Sequence, residues 1–293
     1  MRYKTIAIIG GIGLGDNLIQ MVLAGNAQKT GSAVTMYSSI MRQISRWFPH
    51  IQIESTLEPH QYNQTLAPFS KILCPHGPRC SINSNIAEKW ISYETVYRKN
   101  RHWADNIVTA GSHFLELHNG SRENRIRIPT RLHYRCNARR VAIHPTSAFE
   151  KKNWEPIKYL ELAKRLENRT YEPVFIMSRQ EKLVWERIVN GRFALKGFST
   201  LDHCASFLYE SAYFIGNDSG CGHLASNLGI PTLSIHGRSG NSRRWRPAWG
   251  TVLVVTPAIN LIGNRLRYRF WRSFMGVDRV EQAFDKLVHI SNR

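Results

Sequence analysis

From Val141 to His236 the chain alternates hydrophobic runs of strand length with segments of helical length, and no other feature restricts the fold as tightly. Strands are predicted at Val141–His144, Pro173–Met177, Phe193–Leu195, Ala212–Gly216 and Thr232–His236. Helices are predicted between them at Pro156–Glu167, Gln180–Val189, Leu201–Glu210 and Gly220–Leu228. Strands that alternate with helices of about 10–15 residues imply a parallel sheet covered on both faces. Upstream the same pattern is looser. A strand is expected at Thr5–Ile9, a helix at Asn17–Gln28, a strand at Ala33–Tyr37 and a helix near Ile40–Phe48. Leu57 to Pro78 is rich in turn formers, with a strand expected at Lys71–Leu73; helices are expected over Ile86–Arg98 and Trp103–Leu117. Asn119 to Arg140, polar, arginine-rich and broken by Pro129, reads as a linker, and Ala258–Ile290 as a helical tail.

With 293 residues, two domains suit the chain better than one. The expected fold class is α/β: two Rossmann-like doubly wound domains, residues 1–135 and 136–257, with the helices of 258–293 packing across them. Two such sheets facing each other would set an active cleft at their carboxyl ends.

A 42% hydrophobic content is enough for packed cores, and no stretch approaches the roughly 20 apolar residues of a membrane span. The opening MRYKTIAIIGGIG lacks a small-residue cleavage site, so a cytoplasmic chain without a signal peptide is expected. Five scattered cysteines (Cys74, Cys80, Cys136, Cys204 and Cys221) read as reduced thiols. Cys74 and Cys80 have no second pair with which to build a zinc site, so no metal is expected. The chain carries 40 Lys+Arg against 21 Asp+Glu, a net charge of +19. Such an excess predicts polyanionic company: nucleic acid, an anionic membrane face or a heavily phosphorylated substrate.

The most informative stretch is GNDSGCGHLASNLGIPTLSIHG, residues 216–237. A strand runs into Asn217-Asp218-Ser219-Gly220 and a helix begins at once, with Asp218 or Ser219 a natural N-cap. The first-turn N–H groups, with the helix dipole behind them, form a ready anion site; Gly220 and Gly222 would let a diphosphate approach. A plain capped helix accounts for the same residues. Cys221 and His223 lie two apart on a helix, point about 200° apart and make a poor nucleophile–base pair. Ser219 lacks the elbow of an α/β-hydrolase.

Taken together, these elements resemble glycosyltransferase family 9, the lipopolysaccharide heptosyltransferases. The family's Asp-(Ser/Thr)-Gly-x-x-His-Leu-(Ala/Thr)-Ala-x-(Leu/Met)-x-x-Pro element matches Asp218 through Pro231. Its His-(Pro/Ala)-x-(Ser/Thr) strand end and following Lys-x-Trp-Pro match His144-Pro145-Thr146-Ser147 and Lys152-Asn153-Trp154-Glu155-Pro156, with one extra residue before the proline. Gly15-Asp16 matches the pair that opens the family's first helix. The resemblance implies a GT-B fold and an inverting, metal-independent transfer from an ADP-heptose-like donor held by the C-terminal half, with no cofactor. Asp16 then matches the base that takes the acceptor hydroxyl's proton, although helix capping also explains it. Donor contacts fall to Thr146, Ser147, Lys151 or Lys152, Asp218, Ser219, Gly220, Cys221, Gly222 and His223. The acceptor falls to Gly13 and the linker residues Arg122, Arg125 and Arg127. Two departures stand out: Gly10–Gly15 lacks the family's Ser/Thr-rich turn, and the usual proline of the first helix is missing, with Gln20 and Met21 nearby.

The expected partners are a nucleotide sugar and an acidic glycolipid acceptor. Arg265-Leu266-Arg267-Tyr268-Arg269-Phe270-Trp271-Arg272-Ser273-Phe274 reads as a basic, aromatic amphipathic helix, so peripheral contact with the cytoplasmic face of an anionic inner membrane is expected too. Packing of that stripe on the protein is the competing reading. Arg238–Arg246 either rims the donor site or is a solvated basic loop. Two other functions fit less well. The opening reads G-G-x-G-x-G, with no acid ending the second strand, which argues against a nicotinamide site. No nucleic-acid-binding motif accompanies the positive charge, so no nucleic-acid partner is expected.

Overall fold

The computed structural model describes residues 4–78, 80–237, 239–258 and 270–293. The chain divides into two compact units, Met1–Pro129 and Thr130–Arg293.

The first unit is built on a five-stranded parallel sheet, β1 (Thr5–Ile9), β2 (Ala33–Tyr37), β3 (Gln52–Glu54), β4 (Lys71–Cys74) and β5 (Trp90–Ser92), in the order β3-β2-β1-β4-β5. β1 is a continuous apolar run with Ile6, Ala7 and Ile8 fully buried, as a central parallel strand requires. Helix α1 (Leu14–Lys29) follows it. Two predicted helices are much shorter than expected. Over Ile40–Phe48 there is only α2 (Ser39–Arg42), capped by Ser38, and a 3₁₀ turn at Ser45–Trp47 before β3. Another small helix, α3, spans Tyr62–Thr65. Over Ile86–Arg98 the helix α4 (Ser84–Lys89), capped by Asn83, gives way at Trp90 to β5, which pairs Trp90 with Ile72 and Ile91 with Leu73. A 3₁₀ turn at Tyr93–Val96 follows. Isolated short helices are marginal, and an open sheet edge offers Trp90 and Ile91 both backbone partners and burial.

Helix α5 (Trp103–Phe114) packs on α1. The expected linker is mostly a strap on this first unit. Ser121 exchanges hydrogen bonds with Asn26, Asn124 Nδ2 donates to the Leu18 carbonyl at 3.3 Å, and Arg127 N–H donates to the Trp47 carbonyl at 2.7 Å. Asn124, in the middle of this polar stretch, is buried.

The second unit holds a six-stranded parallel sheet, β6 (Asn137–His144), β7 (Glu172–Ser178), β8 (Ala194–Phe198), β9 (Ser211–Asn217), β10 (Thr232–Ile235) and β11 (Val252–Val255). Its order is β11-β10-β9-β6-β7-β8, the doubly wound arrangement. Arg139 and Arg140, expected in the linker, belong to β6. The helices are α6 (Pro156–Asn168), α7 (Arg179–Val189), α8 (Leu201–Tyr209), α9 (Gly220–Asn227), α10 (Ser239–Trp245) and α11 (Val277–Ser291). Helix α11 packs on β10, β11 and α6, burying Val277, Val280, Phe284 and Leu287 at helical spacing. Each sheet has one point where the strand order reverses: between β1 and β4 in the first, between β6 and β9 in the second. Ligands of open α/β sheets bind beyond the carboxyl ends of such strands. No helix among the described residues is long and apolar enough to cross a membrane.

Candidate functional site

At the reversal point of the second sheet, β6 ends at His144 and β9 at Asn217. Asn217 is wholly buried, and sequence reasoning did not single it out. Its Oδ1 accepts from Trp154 N–H and from Tyr159 O–H, each at 2.9 Å. Its Nδ2 donates to the Pro145 carbonyl at 2.6 Å and to Asn153 Oδ1 at 3.4 Å. With both ends of the amide used, this one side chain ties together the loop after β6, the segment before α6 and the end of β9. A 3₁₀ turn at Glu150–Lys152 is thereby brought against Asp218. Of the two lysines left open by the sequence, Lys152 reaches Asp218, Nζ to Oδ2 at 3.0 Å. Lys151 has its ammonium 5.9 Å from the Phe149 ring centroid.

Asp218 is mostly buried, which opposes its ionisation. His236, Lys152 and His223 outweigh that and hold the carboxyl below the ordinary aspartate range. His236 is itself buried, and burial depresses its basicity; Ser234 Oγ stands 2.9 Å from its Nε2. His223 is also buried, on α9. Ser219 is the N-cap of α9, but its side chain makes no hydrogen bond to the helix. Its hydroxyl lies 3.3 Å from His144 Nδ1 instead, and Thr146 Oγ1 lies 3.4 Å from His144 Nε2. No acidic residue stands in the first turn of α9. Its leading N–H groups therefore meet neither a capping side chain nor a carboxylate of their own helix, which is the condition for anion binding.

Three expected donor residues have structural tasks. Ser147 Oγ donates to Asn153 Oδ1 at 2.6 Å and lies 3.0 Å from the Phe149 carbonyl oxygen, shaping the loop. Thr146 is buried against His144. A Cβ on Gly222 would meet the Phe214 ring at 3.5 Å, so this glycine faces the sheet. Cys221 lies with Cys204 and His144. Its hydrogen bond with Cys204, followed by the charge of His144, lowers its pKa, and burial only partly opposes this. The sequence weighed Cys221 against His223 as a pair and did not foresee the approach of Cys221 to His144, which comes from another strand. Among the described residues no cluster of three or more His, Cys, Asp or Glu is placed to hold a metal ion.

In the first unit, the turn between β1 and α1 occupies the corresponding position. Gly10 is tightly confined: a Cβ there would lie 2.8 Å from the Tyr37 carbonyl oxygen. Helix α1 starts at Leu14, three residues earlier than predicted, so Asp16 sits inside its first turn with Gly13 as the N-cap. Gly13 N–H donates to Asp16 Oδ2 at 3.3 Å. Asn17 Nδ2 donates to the carbonyls of Gly11 and Gly13 at 2.9 and 2.7 Å, and Gln20 Oε1 accepts from Gly11 N–H at 3.1 Å. Two buried amide side chains hold this turn in the absence of a Ser/Thr-rich sequence.

The arginines grouped with Gly13 are not brought to that turn. Arg122 makes a two-pronged pair with Asp105 on α5, at 2.6 and 2.7 Å, which lowers the Asp105 pKa. Arg125 packs near Gly25, twelve residues along α1 from Gly13, or about 18 Å. Arg127 is held through its backbone at Trp47. Of the basic aromatic cluster, Arg265 to Arg269 lie outside the described residues, as does Arg238. Past Phe270 the chain turns instead of continuing a helix, Trp271 is buried, and Phe270 is exposed.

Residues 74–259 match the family model described as glycosyltransferase family 9 (heptosyltransferase). No curated protein matches the sequence. Among solved structures the chain resembles the family 9 glycosyl transferase of Veillonella parvula at 17% identity and a TM-score of 0.74, covering 98% of each chain. It resembles the ADP-heptose lps heptosyltransferase II of Escherichia coli at 14% identity and a TM-score of 0.74, covering 99% of this chain and 100% of that one. It also resembles the E. coli heptosyltransferase WaaC, solved with ADP, at 11% identity and a TM-score of 0.70, covering 97% and 99%. These likenesses establish a GT-B fold with two parallel sheets. With a family model matched over more than half of its length, the chain belongs to glycosyltransferase family 9.

Proposed function

We propose that this chain transfers a heptose, or a closely related sugar, from an ADP-sugar to an acidic lipopolysaccharide core acceptor, with inversion and without a metal. The observation that carries the reading is the Lys152–Asp218 pair at 3.0 Å beside the uncapped start of α9. A nucleoside diphosphate leaving group gathers negative charge as its bond to the sugar breaks. Lys152 and the first amides of α9, at Gly220 and Cys221, would receive that charge. Asp218, kept ionised, holds the lysine ammonium in place while the diphosphate is away. Asp16, at the opening of α1, would take the proton of the attacking acceptor hydroxyl. In the related structure of WaaC the nucleotide is ADP, which supports adenine as the base of the donor. The net charge of +19 favours an acidic acceptor.

The test is calorimetric and thermal-shift titration of ADP, UDP, GDP and CMP into wild type and Lys152→Ala. The expected outcome is stabilisation by ADP alone, weakened in the variant. Preference for UDP, GDP or CMP would keep a glycosyltransferase but remove the ADP-heptose donor. Absence of binding by any of the four would sink the donor reading.

A further inference from the structure

The turn that presents Lys152 is short and lies at the surface, so something must fix it. Besides its bonds to Asn217, Ser147 and Asp218, the stretch around it is joined to residues 271–275. Trp271 Nε1–H donates to the Lys151 carbonyl at 3.1 Å, and Arg272 Nη2–H donates to the Glu150 carbonyl at 2.6 Å. In the reverse direction, Lys158 Nζ donates to the Arg272 carbonyl at 2.6 Å and Trp154 Nε1–H to the Met275 carbonyl at 2.9 Å. Four bonds thus lace residues 150–158 to a segment more than a hundred residues later. The Trp271 indole is 3% exposed, and its seat is made by Gly237, where a Cβ would come within 2.9 Å of the ring. The glycine that follows β10 and His236 is therefore matched to this one tryptophan.

We propose that Trp271 is a positioning residue for Lys152, with Arg272 as its second anchor: the 271–275 segment sets the turn so that the ammonium stands ready for a diphosphate. This rests on the donor reading above. The indole N–H fixes the carbonyl immediately before Lys152, and burial of the ring prevents the anchor from swinging away. The segment lies within the part of the chain whose composition suggested a membrane contact, but at Trp271 the apolar surface is used inside the protein.

The test compares wild type, Trp271→Phe, Arg272→Ala, Lys152→Ala and the Trp271→Phe/Lys152→Ala double variant. Phenylalanine keeps a ring against Gly237 and deletes only the N–H. Two readouts are taken: the ADP dissociation constant by calorimetry, and the acylation rate of Lys152 relative to the exposed Lys164 by peptide mass spectrometry. Trp271→Phe is expected to weaken ADP about threefold to tenfold and to accelerate acylation of Lys152 by a similar factor, from the loss of one hydrogen bond. Arg272→Ala should change both about twofold. In the Lys152→Ala background the effect of Trp271→Phe on ADP should vanish. An unchanged relative acylation rate in both single variants overturns the proposal, whether or not ADP binds. An equal loss of ADP affinity with and without Lys152 also overturns it, because the indole would then act on the fold at large. If wild type binds no nucleoside diphosphate while Trp271→Phe still speeds acylation, the positioning link stands and the donor reading falls.

Discussion

Two strand-to-helix turns, one in each unit, stand at equivalent points of their sheets and are finished in opposite ways. The β1–α1 turn answers its own helix end: Asp16 lies in the first turn of α1 and accepts from Gly13 N–H, while Asn17 and Gln20 take up the polar groups of Gly11 and Gly13. The β9–α9 turn does not. Its cap residue Ser219 turns its hydroxyl to His144, its first helical turn has no acid, and Asp218 is paired with Lys152. A helix start already facing a carboxylate repels a second anion, whereas one left unanswered beside an ammonium attracts it. Under the proposed function, the same backbone motif serves the base in the first unit and the diphosphate in the second.

The largest expected effect comes from breaking the first turn's acid. Asp16→Asn should lower turnover about a thousandfold, the usual scale for a general base, with ADP affinity within twofold of wild type; steady-state rates and calorimetry check both. A parallel loss of affinity would place the acid at the nucleotide and erase the contrast. Next, Lys152→Ala should weaken ADP about thirtyfold, ~2 kcal/mol, as expected for a hydrogen bond to a charged group. Smaller again is Asn17→Ala, which removes the side-chain amide from the Gly11 and Gly13 carbonyls and leaves only the backbone N–H of residue 17 on Gly13. It should destabilise the first unit by ~2 kcal/mol in denaturant titration, with ADP affinity unchanged.

The smallest effect is in acid. The Asp218 pKa is lower in the folded state than the ordinary value of 3.8, so the unfolded chain binds more protons in the window below that value. The stability this carboxyl contributes is complete above the unfolded pKa and is lost as the pH falls through the folded one. Asp218→Asn should flatten that part of the acid-unfolding curve, while Asp16→Asn, followed alongside, tests whether the two acids differ.

Much of the second unit was legible because its signals are local. Continuous apolar strands with helical segments between them leave few arrangements, and the element containing Asp218, Ser219 and Gly220 declares a strand, a turn and a helix start within four residues. The first unit was harder to read. β3 and β5 are three-residue strands whose existence depends on a neighbouring edge, and no periodicity accumulates over three residues. The arginines of residues 119–140 looked like a free polar segment because sequence shows polarity but not the partner that absorbs it, here Asp105 for Arg122. Asp16 of the first unit and Lys152 and Asp218 of the second stand in motifs that the sequence shows. Asn217, the approach of His144 to Cys221, and the contacts of His236 and Trp271 depend on neighbours distant along the chain, which motifs do not reveal.

Apolar run length and turn chemistry were enough to specify two parallel α/β sheets and the strand-to-helix turns at Gly15-Asp16 and Asp218-Ser219-Gly220, since both depend on interactions over a few residues. The pairing of Lys152 with Asp218, the diversion of Ser219 from capping to His144, and the seating of Trp271 on Gly237 were decided by folding. Each depends on a distance between groups that the chain brings together only when its sheets and helices have packed.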